Sequence, residues 1–300
     1  MQDLIGDIHG HATHLKALLA KLGYAHDGHA YRHPERTVVF LGDYIDRGPE
    51  NPEVLRIVRE MTEAGTAVAL MGNHEFNALA FNTRLKTGGY LRPHLIKNIK
   101  QHAETLMQFQ NRQAEYFKHI EWMKTLPLCY ETEHFRAVHA SWHQPSMDHL
   151  RHTLVNNRLT EAALLATADE FGPTNDAIEK VLKGLELPLP AGTSFLDKDG
   201  TERHHIRYRW WENPVGATYT QLGIHPDEGL REVLYAGPDS VHYGEAEKPV
   251  FFGHYWLKGV PEVIRGNICC LDFSVAKGGY LAGYRFDGEK KLVAENLVWV

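Results

Sequence analysis

Cysteine is scarce in this chain: three among 300 residues, Cys129 and the adjacent pair Cys269 and Cys270. Neighbouring cysteines rarely bridge each other and the pair lies in an apolar run, so the sequence argues against a disulfide framework. No uninterrupted apolar stretch is long enough to cross a bilayer, so no membrane partner is expected. A first motif at Gly6 leaves no room for a secretory leader ahead of it, and a reducing, cytoplasmic setting is the expectation. A basic excess is also lacking. The net charge of −6 argues against non-specific coating of nucleic acid. It leaves phosphorylated substrates open, since bound cations could supply the local positive charge. There is no internal repeat and no low-complexity tract. Hydrophobic content of 43% is enough for a sizeable core, as one large domain or two small ones. Histidine is abundant, with twenty copies. His26, His29 and His33 lie in a polar Gly/Pro-containing loop and read as solvated, while His11 and His14 flank the first motif.

The opening third alternates strand and helix. Asp3-Leu4-Ile5 reads as a short strand, and Leu15, Leu18, Leu19 and Leu22 follow at helical spacing up to Gly23. Thr37 to Leu41 is a buried strand by its β-branched content. Asn51 is placed to cap a helix with Pro52 at its first position, and Val54, Ile57, Val58 and Met61 form its buried stripe. Thr66 to Met71 is a third strand. From Arg84 to Leu126 the pattern turns helical and polar. Phe135 to Val138 resumes the strand pattern and delivers His139. The stretch from Ser141 to Pro214 holds two expected helices, near Thr160–Phe171 and Thr174–Leu185. The last part is β-rich, and its Gly and Asp-Gly turns suggest antiparallel pairing. The expected fold is α/β: an α/β/β/α sandwich of two mixed sheets, a single domain over 1–300 with helical cap insertions at about 84–126 and 141–214.

Three segments carry the chemistry: Gly6-Asp7-Ile8-His9-Gly10, Gly42-Asp43-Tyr44-Ile45-Asp46-Arg47-Gly48 and Gly72-Asn73-His74-Glu75. Each follows an apolar run, which puts its polar groups at the carboxyl end of a strand, where open α/β sheets build their sites. With His139 and His254 they assemble a candidate ligand set of Asp7, His9, Asp43, Asn73, His139 and His254. This mixture of oxygen and nitrogen donors suits a pair of divalent metals. Two metals about 3.5–4 Å apart are a device for attacking phosphate esters. An Asp-x-His pair alone reads equally as a capped loop; three such segments in this order do not.

These motifs resemble those of the calcineurin-like metallophosphoesterases, specifically the phosphoprotein phosphatase branch, with Asp46-Arg47-Gly48 and Glu75 as the pointing details. The segments Phe252-Gly253-His254-Tyr255-Trp256, Ile268-Cys269-Cys270-Leu271-Asp272 and Lys277-Gly278-Gly279 resemble the bacterial symmetrical diadenosine tetraphosphatases of that branch. The resemblance covers the motifs and both ends well and the middle, Arg84 to Glu247, poorly. It implies Asp7, His9 and Asp43 on a first metal and Asp43, Asn73, His139 and His254 on a second, with Asp43 bridging. Manganese is the first expectation, with iron, zinc, nickel or cobalt as alternatives. Many members of the wider superfamily carry Gly-His-x-His as the last motif. Here Trp256 stands in the second histidine's place, leaving the first metal one protein ligand fewer.

The chemistry expected from these charges is attack on phosphorus by a hydroxide shared between the cations. His74 is the candidate acid for the leaving oxygen. Asp46 would hold the His74 imidazole in one tautomer and keep it cationic. Arg47 offers a planar fork of donors for phosphate oxygens. In the segment Arg203 to Trp211, Arg207 or Arg209 would bind phosphate by analogy with the tetraphosphatases; the same pattern also reads as a solvated edge strand with arginine gatekeepers. Tyr208, Trp210 and Trp211 read as core or rim packing, with stacking on a base or a substrate ring as the alternative, and Cys269 and Cys270 as facing opposite sides of one strand. Both inserts are expected above the metal centre, where caps set substrate choice. The expected substrate is a phosphoprotein or a nucleotide, cleaved at a phosphomonoester or phosphoanhydride. A phosphodiesterase or nucleic-acid-end phosphatase and a non-catalytic metal-bearing scaffold stand as the alternatives. Oligomeric state stays open.

Overall fold

The computed structural model describes residues 1–190, 192–196, 202–224, 230–237 and 242–300. Two mixed sheets form its centre. In the first, Gln2–Ile5 runs parallel to Thr37–Phe40, which runs parallel to Ala67–Ala69. On its other edge Gln2–Ile5 pairs antiparallel with Tyr280–Phe286, which carries Asp272–Phe273 and Leu297–Trp299. The second sheet has the order Ile268–Cys270, Val250–Phe252, Arg136–Val138, Cys129–Glu131.

Strand alternation sends successive side chains to opposite faces. Leu4, Val39, Phe251, Cys269 and Tyr284 therefore share one buried cluster that draws on both sheets. Phe251 meets Tyr284, and Phe135 meets Phe286 with ring centroids 4.9 Å apart, so the two sheets stack face to face. Their neighbours Ile5, Val38, Phe40, Val250, Phe252 and Cys270 belong to the cluster beneath the helices. Cys269 and Cys270 thus point opposite ways, as alternation requires.

On the first sheet, Ala12–Lys21 and Asn51–Glu63 pack together, burying the Leu15/Leu18/Leu19 and Val54/Ile57/Val58/Met61 stripes. On the side of the second sheet, Gln144–Thr153 packs on Pro173–Lys183, and the Ala140 and Ser141 amides both donate to the Val181 carbonyl. Trp210 donates its indole N–H to the Ala140 carbonyl at 3.1 Å, and Tyr208 and Trp211 are buried beside it. These rings are core. Among the described residues, no helix is long and apolar enough to cross a membrane.

Several expectations are corrected. Val250–Phe252 and Ile268–Cys270 pair in parallel, because the segment 253–267 is long enough for the crossover that parallel neighbours need. Asn51 is the first helical residue and Glu50 holds the cap position; the Asn51 side-chain Nδ2 instead donates to the Gly48 carbonyl at 2.7 Å. His74 sits in the first turn of the helix Asn73–Asn82. The helix Gln144–Thr153 and the strand Cys129–Glu131 were not foreseen.

Candidate metal centre

Each motif leaves a strand and turns sharply. His9, Asp43, Asp46, Arg47, His254 and Trp256 all have positive φ. Non-glycine residues hold that conformation only when their surroundings over-determine it, and such strain concentrates at functional sites. Two glycines are required by close approach. A Cβ at Gly72 would lie 2.2 Å from the Asp43 amide nitrogen, and one at Gly253 would lie 1.9 Å from Asp7 Oδ1.

Asp43 stands at the centre. Its Oδ2 is 3.6 Å from His9 Nε2 and 4.0 Å from His74 Nε2, and its Oδ1 is 3.4 Å from His139 Nε2. Two sets of potential ligand atoms share it: His9, Asp43 and His74, and Asp43, His139 and His254. Asn73 Oδ1 lies 3.1 Å from His139 Nε2 and 2.7 Å from His254 Nδ1, which brings it to the second set. Asp7 accepts the His254 backbone N–H at 3.0 Å.

The backbone sets the imidazole tautomers. His9 Nδ1 bonds the Ile45 carbonyl at 3.0 Å and His139 Nδ1 the Leu41 carbonyl at 2.8 Å. A carbonyl accepts only from N–H, so in the neutral ring the Nε2 lone pair is aimed inward, as in histidines that bind metals. His9 Nε2 and His254 Nε2 are buried and have no hydrogen-bond partner among the described residues. Burial holds the His9 imidazole down to about 3, with Arg47 and His74 adding to the effect and Asp43 opposing it. Burial and the charge of Arg207 hold His254 low as well. Both rings are therefore neutral, the form that ligates.

Four buried carboxyl groups crowd the same space. Burial, then repulsion from Asp272 and Asp43, pushes Asp7 up. Burial and Asp43 push Glu75 up to about 7, and burial raises Asp272. Asp43 is the exception: burial opposes its charge, but His139, His74 and His9 outweigh it and hold the group low. Carboxyl groups whose ionisation is held back by burial and mutual repulsion, beside inward-facing imidazole lone pairs, are a donor set that divalent cations satisfy. The residues present fit a metal pair.

Beside this centre, His74 Nδ1 meets Asp46 Oδ2 at 2.5 Å. Burial works against the imidazolium, but Asp43 and Asp46 outweigh it and raise the His74 pKa. Asp46 is itself held by His102 at 2.7 Å and by the Thr105 hydroxyl at 2.6 Å, both from the first insert, and His102 Nε2 reaches the Tyr116 hydroxyl at 2.9 Å. Arg47 is exposed and lies with its guanidinium carbon 4.3 Å from the Trp256 ring centre. Arg207 acts electrostatically on His254 and Tyr255. Arg209 is fixed through its backbone to Leu222 and Glu212.

Sequence reasoning named Glu75 and Asp272 only as motif residues and missed what they position, and it missed His102 and Thr105 altogether. Glu75 accepts the amides of Asp43 and Tyr44 at 2.8 Å and of Gly72 at 3.0 Å, tying the second motif to the third. Its signal was visible: a Glu three residues after a helix cap position. Asp272 accepts the Trp256 amide at 2.6 Å and the Ser274 amide at 3.0 Å. His102 and Thr105 gave no signal, since a helical insert reveals nothing of which face meets the site.

A two-sheet sandwich whose strand ends deliver a shared aspartate between two histidine-bearing ligand sets defines the class: a metallophosphoesterase. The chain belongs to the calcineurin-like phosphoesterase family, whose model matches residues 3–254. It is 26% identical over 302 residues, 93% of this chain and 90% of the relative, to a symmetrical bis(5'-nucleosyl)-tetraphosphatase of Hamiltonella defensa. It is 45% identical over 73 residues to the asymmetrical bis(5'-nucleosyl)-tetraphosphatase PrpE of Halalkalibacterium halodurans. That match spans 24% of this chain and only 30% of the relative. Among solved structures, a protein serine/threonine phosphatase from Saccharomyces cerevisiae aligns over 100% of this chain and 78% of its own, at 13% identity and a TM-score of 0.47.

Proposed function

We propose that this chain is a two-metal phosphohydrolase acting on phosphomonoesters or phosphoanhydrides, with dinucleoside polyphosphates the favoured substrate class. The observation that carries the reading is Asp43, shared by the two ligand sets, with the His74–Asp46 pair against it. Asp7, His9 and Asp43 would hold one cation and Asp43, Asn73, His139 and His254 the other. Bound there, the pair would neutralise phosphate charge and activate water as a nucleophile near neutral pH.

The chain's own groups supply the rest. His74, kept cationic by two carboxylates, presents Nε2–H as the acid for the leaving oxygen. Asp46, anchored by His102 and Thr105, fixes that ring's tautomer and angle. Arg47 orients a phosphoryl oxygen, and Arg207 brings a second positive charge to the His254 side. The symmetrical tetraphosphatase relative, matched over nearly its whole length, supports the substrate class.

The test is a panel run on protein stripped with chelator and reloaded with manganese, zinc, iron, nickel or cobalt. It holds p-nitrophenyl phosphate, bis-p-nitrophenyl phosphate, phosphoserine and phosphotyrosine peptides, and diadenosine tetraphosphate. Metal-dependent hydrolysis of the anhydride and the monoester well above the diester is the expected result. Activity on none of them with any metal would overturn the reading, and a diester preference would move it to a phosphodiesterase.

A further inference from the structure

Trp256 occupies a position that the ligand set does not use. Its ring stacks on His9, with centroids 5.3 Å apart and planes 26° from parallel. Two cations from different parts of the chain converge on that ring. Arg47 stands 4.3 Å from its centre and Lys277 Nζ 4.1 Å. Arg47 comes from the second motif, and Lys277 ends the short turn Val275–Lys277 near the far end of the sequence.

The platform is held firmly. Asp272 accepts the backbone amides of both Trp256 and Ser274, so one buried carboxylate pins the two loops together. The Ser274 hydroxyl donates to the Leu257 carbonyl at 3.0 Å, and the Leu257 amide donates back to the Asp272 carbonyl. Trp256 has φ 53 and Ser274 φ 59. Bulky residues stay in that region only when neighbouring contacts fix them. The ring is half-buried and Lys277 exposed, so the cationic edge faces solvent beside the metal centre.

Two cations meet at one aromatic ring beside the metal centre, and a polyanion that reaches both can engage them while the cation–π attraction is kept. A phosphomonoester presents a single phosphoryl group, which the metal pair and Arg47 engage. A phosphoanhydride presents further phosphoryl groups on either side of the scissile one, and these need positive charge outside the metal centre. Lysine suits this task as a mobile point charge on a long stem.

We propose that Trp256, braced by His9, is a platform from which Lys277 binds the phosphoryl group next to the scissile one, while Arg47 at the same ring engages the scissile group. Lys277 is then a specificity-determining residue that favours phosphoanhydrides over monoesters. This rests on the phosphohydrolase reading above.

The experiment compares wild type, Lys277→Met and Lys277→Arg, with free metal held constant, on diadenosine tetraphosphate and p-nitrophenyl phosphate. Inhibition of p-nitrophenyl phosphate hydrolysis by inorganic tripolyphosphate and by orthophosphate is measured in parallel. Lys277→Met should lose about tenfold in kcat/KM on the tetraphosphate, mostly through KM, and a clearly smaller factor on the monoester. The tripolyphosphate Ki should rise by a similar factor, the orthophosphate Ki much less, and Lys277→Arg should recover most of the loss. Equal losses on both substrates, or none on either, would overturn the proposal. So would a loss confined to the adenine-bearing ligand with tripolyphosphate unaffected, which would make the platform a base-stacking surface. If wild type hydrolyses the monoester but no anhydride, the substrate class fails, while the tripolyphosphate Ki still decides the role of Lys277.

Discussion

His74 is where ligation and acid catalysis can be told apart. Its Nε2 lies within a potential ligand set, yet its Nδ1 is held by Asp46 in the manner of a catalytic histidine. If it protonates the leaving oxygen, His74→Asn should keep both metals and lose on the order of 10²–10⁴-fold in kcat on an alkyl phosphate. The loss should be clearly smaller on p-nitrophenyl phosphate, whose anion leaves unaided, and Asp46→Asn should follow the same pattern more weakly. Metal analysis of the mutant alongside both rates decides it: a missing metal makes His74 a ligand, and equal losses make it a phosphate contact. Glu75 calls for a different measurement. Its carboxylate accepts backbone amides from the second motif and the third helix cap. Glu75→Gln turns an NH2 toward some of those donors, so unfolding should become easier by about 1–3 kcal/mol, with weaker metal affinity. Denaturant melts with and without metal check both parts; an unchanged midpoint would show that the loop holds itself.

At the scale of elements, the three early strand–helix units were legible because each repeats the same order: apolar run, polar glycine-flanked turn, 3.6-period stripe. The parallel pairing of Val250–Phe252 with Ile268–Cys270 was not, since both are short apolar runs whose partners are set by tertiary contacts. The candidate residues His9, Asp43, His139 and His254, which the fold brings together, were legible because they sit at fixed offsets after apolar runs. Thr105 and His102 were not, because helical periodicity does not say which turn meets Asp46. The helix Gln113–Met123 carries a pH response of its own. Its His119 is buried, its Nδ1 has no partner among the described residues, and burial with Arg59 and Arg112 brings its pKa to about 4. A folded pKa below the unfolded value near 6.5 means the unfolded chain binds the proton more readily. Stability from this site is full above about pH 6.5 and is lost as pH falls toward 4, by up to ~3 kcal/mol. His119→Phe should flatten the Tm profile between those values, and an unaltered profile would show that the ring does not titrate on unfolding.

For the whole molecule, the candidate ligand set joins distant parts of the chain, and a metal held there would clamp them. Metal should therefore stabilise the fold, since a ligand bound only by the native state adds about 2.7 kcal/mol at a hundredfold excess over its Kd. Scanning calorimetry should show Tm rising by several degrees on metal addition and falling back with chelator. Asp43→Asn should lose most of that increment; an equal rise in the mutant would remove Asp43 from the centre. The topology also sets when such a site can exist. Gln2–Ile5 is flanked by Thr37–Phe40 on one side and by Tyr280–Phe286 on the other. During synthesis, the first strand emerges with one hydrogen-bonding edge bare and must wait for a partner more than 270 residues later. Pairings of that span form slowly, and an unpaired edge invites association with other chains in the interval. The candidate centre is thus completed only after His254 has emerged, and a ribosome halted before it would carry Asp7, His9 and Asp43 without the partner that closes them.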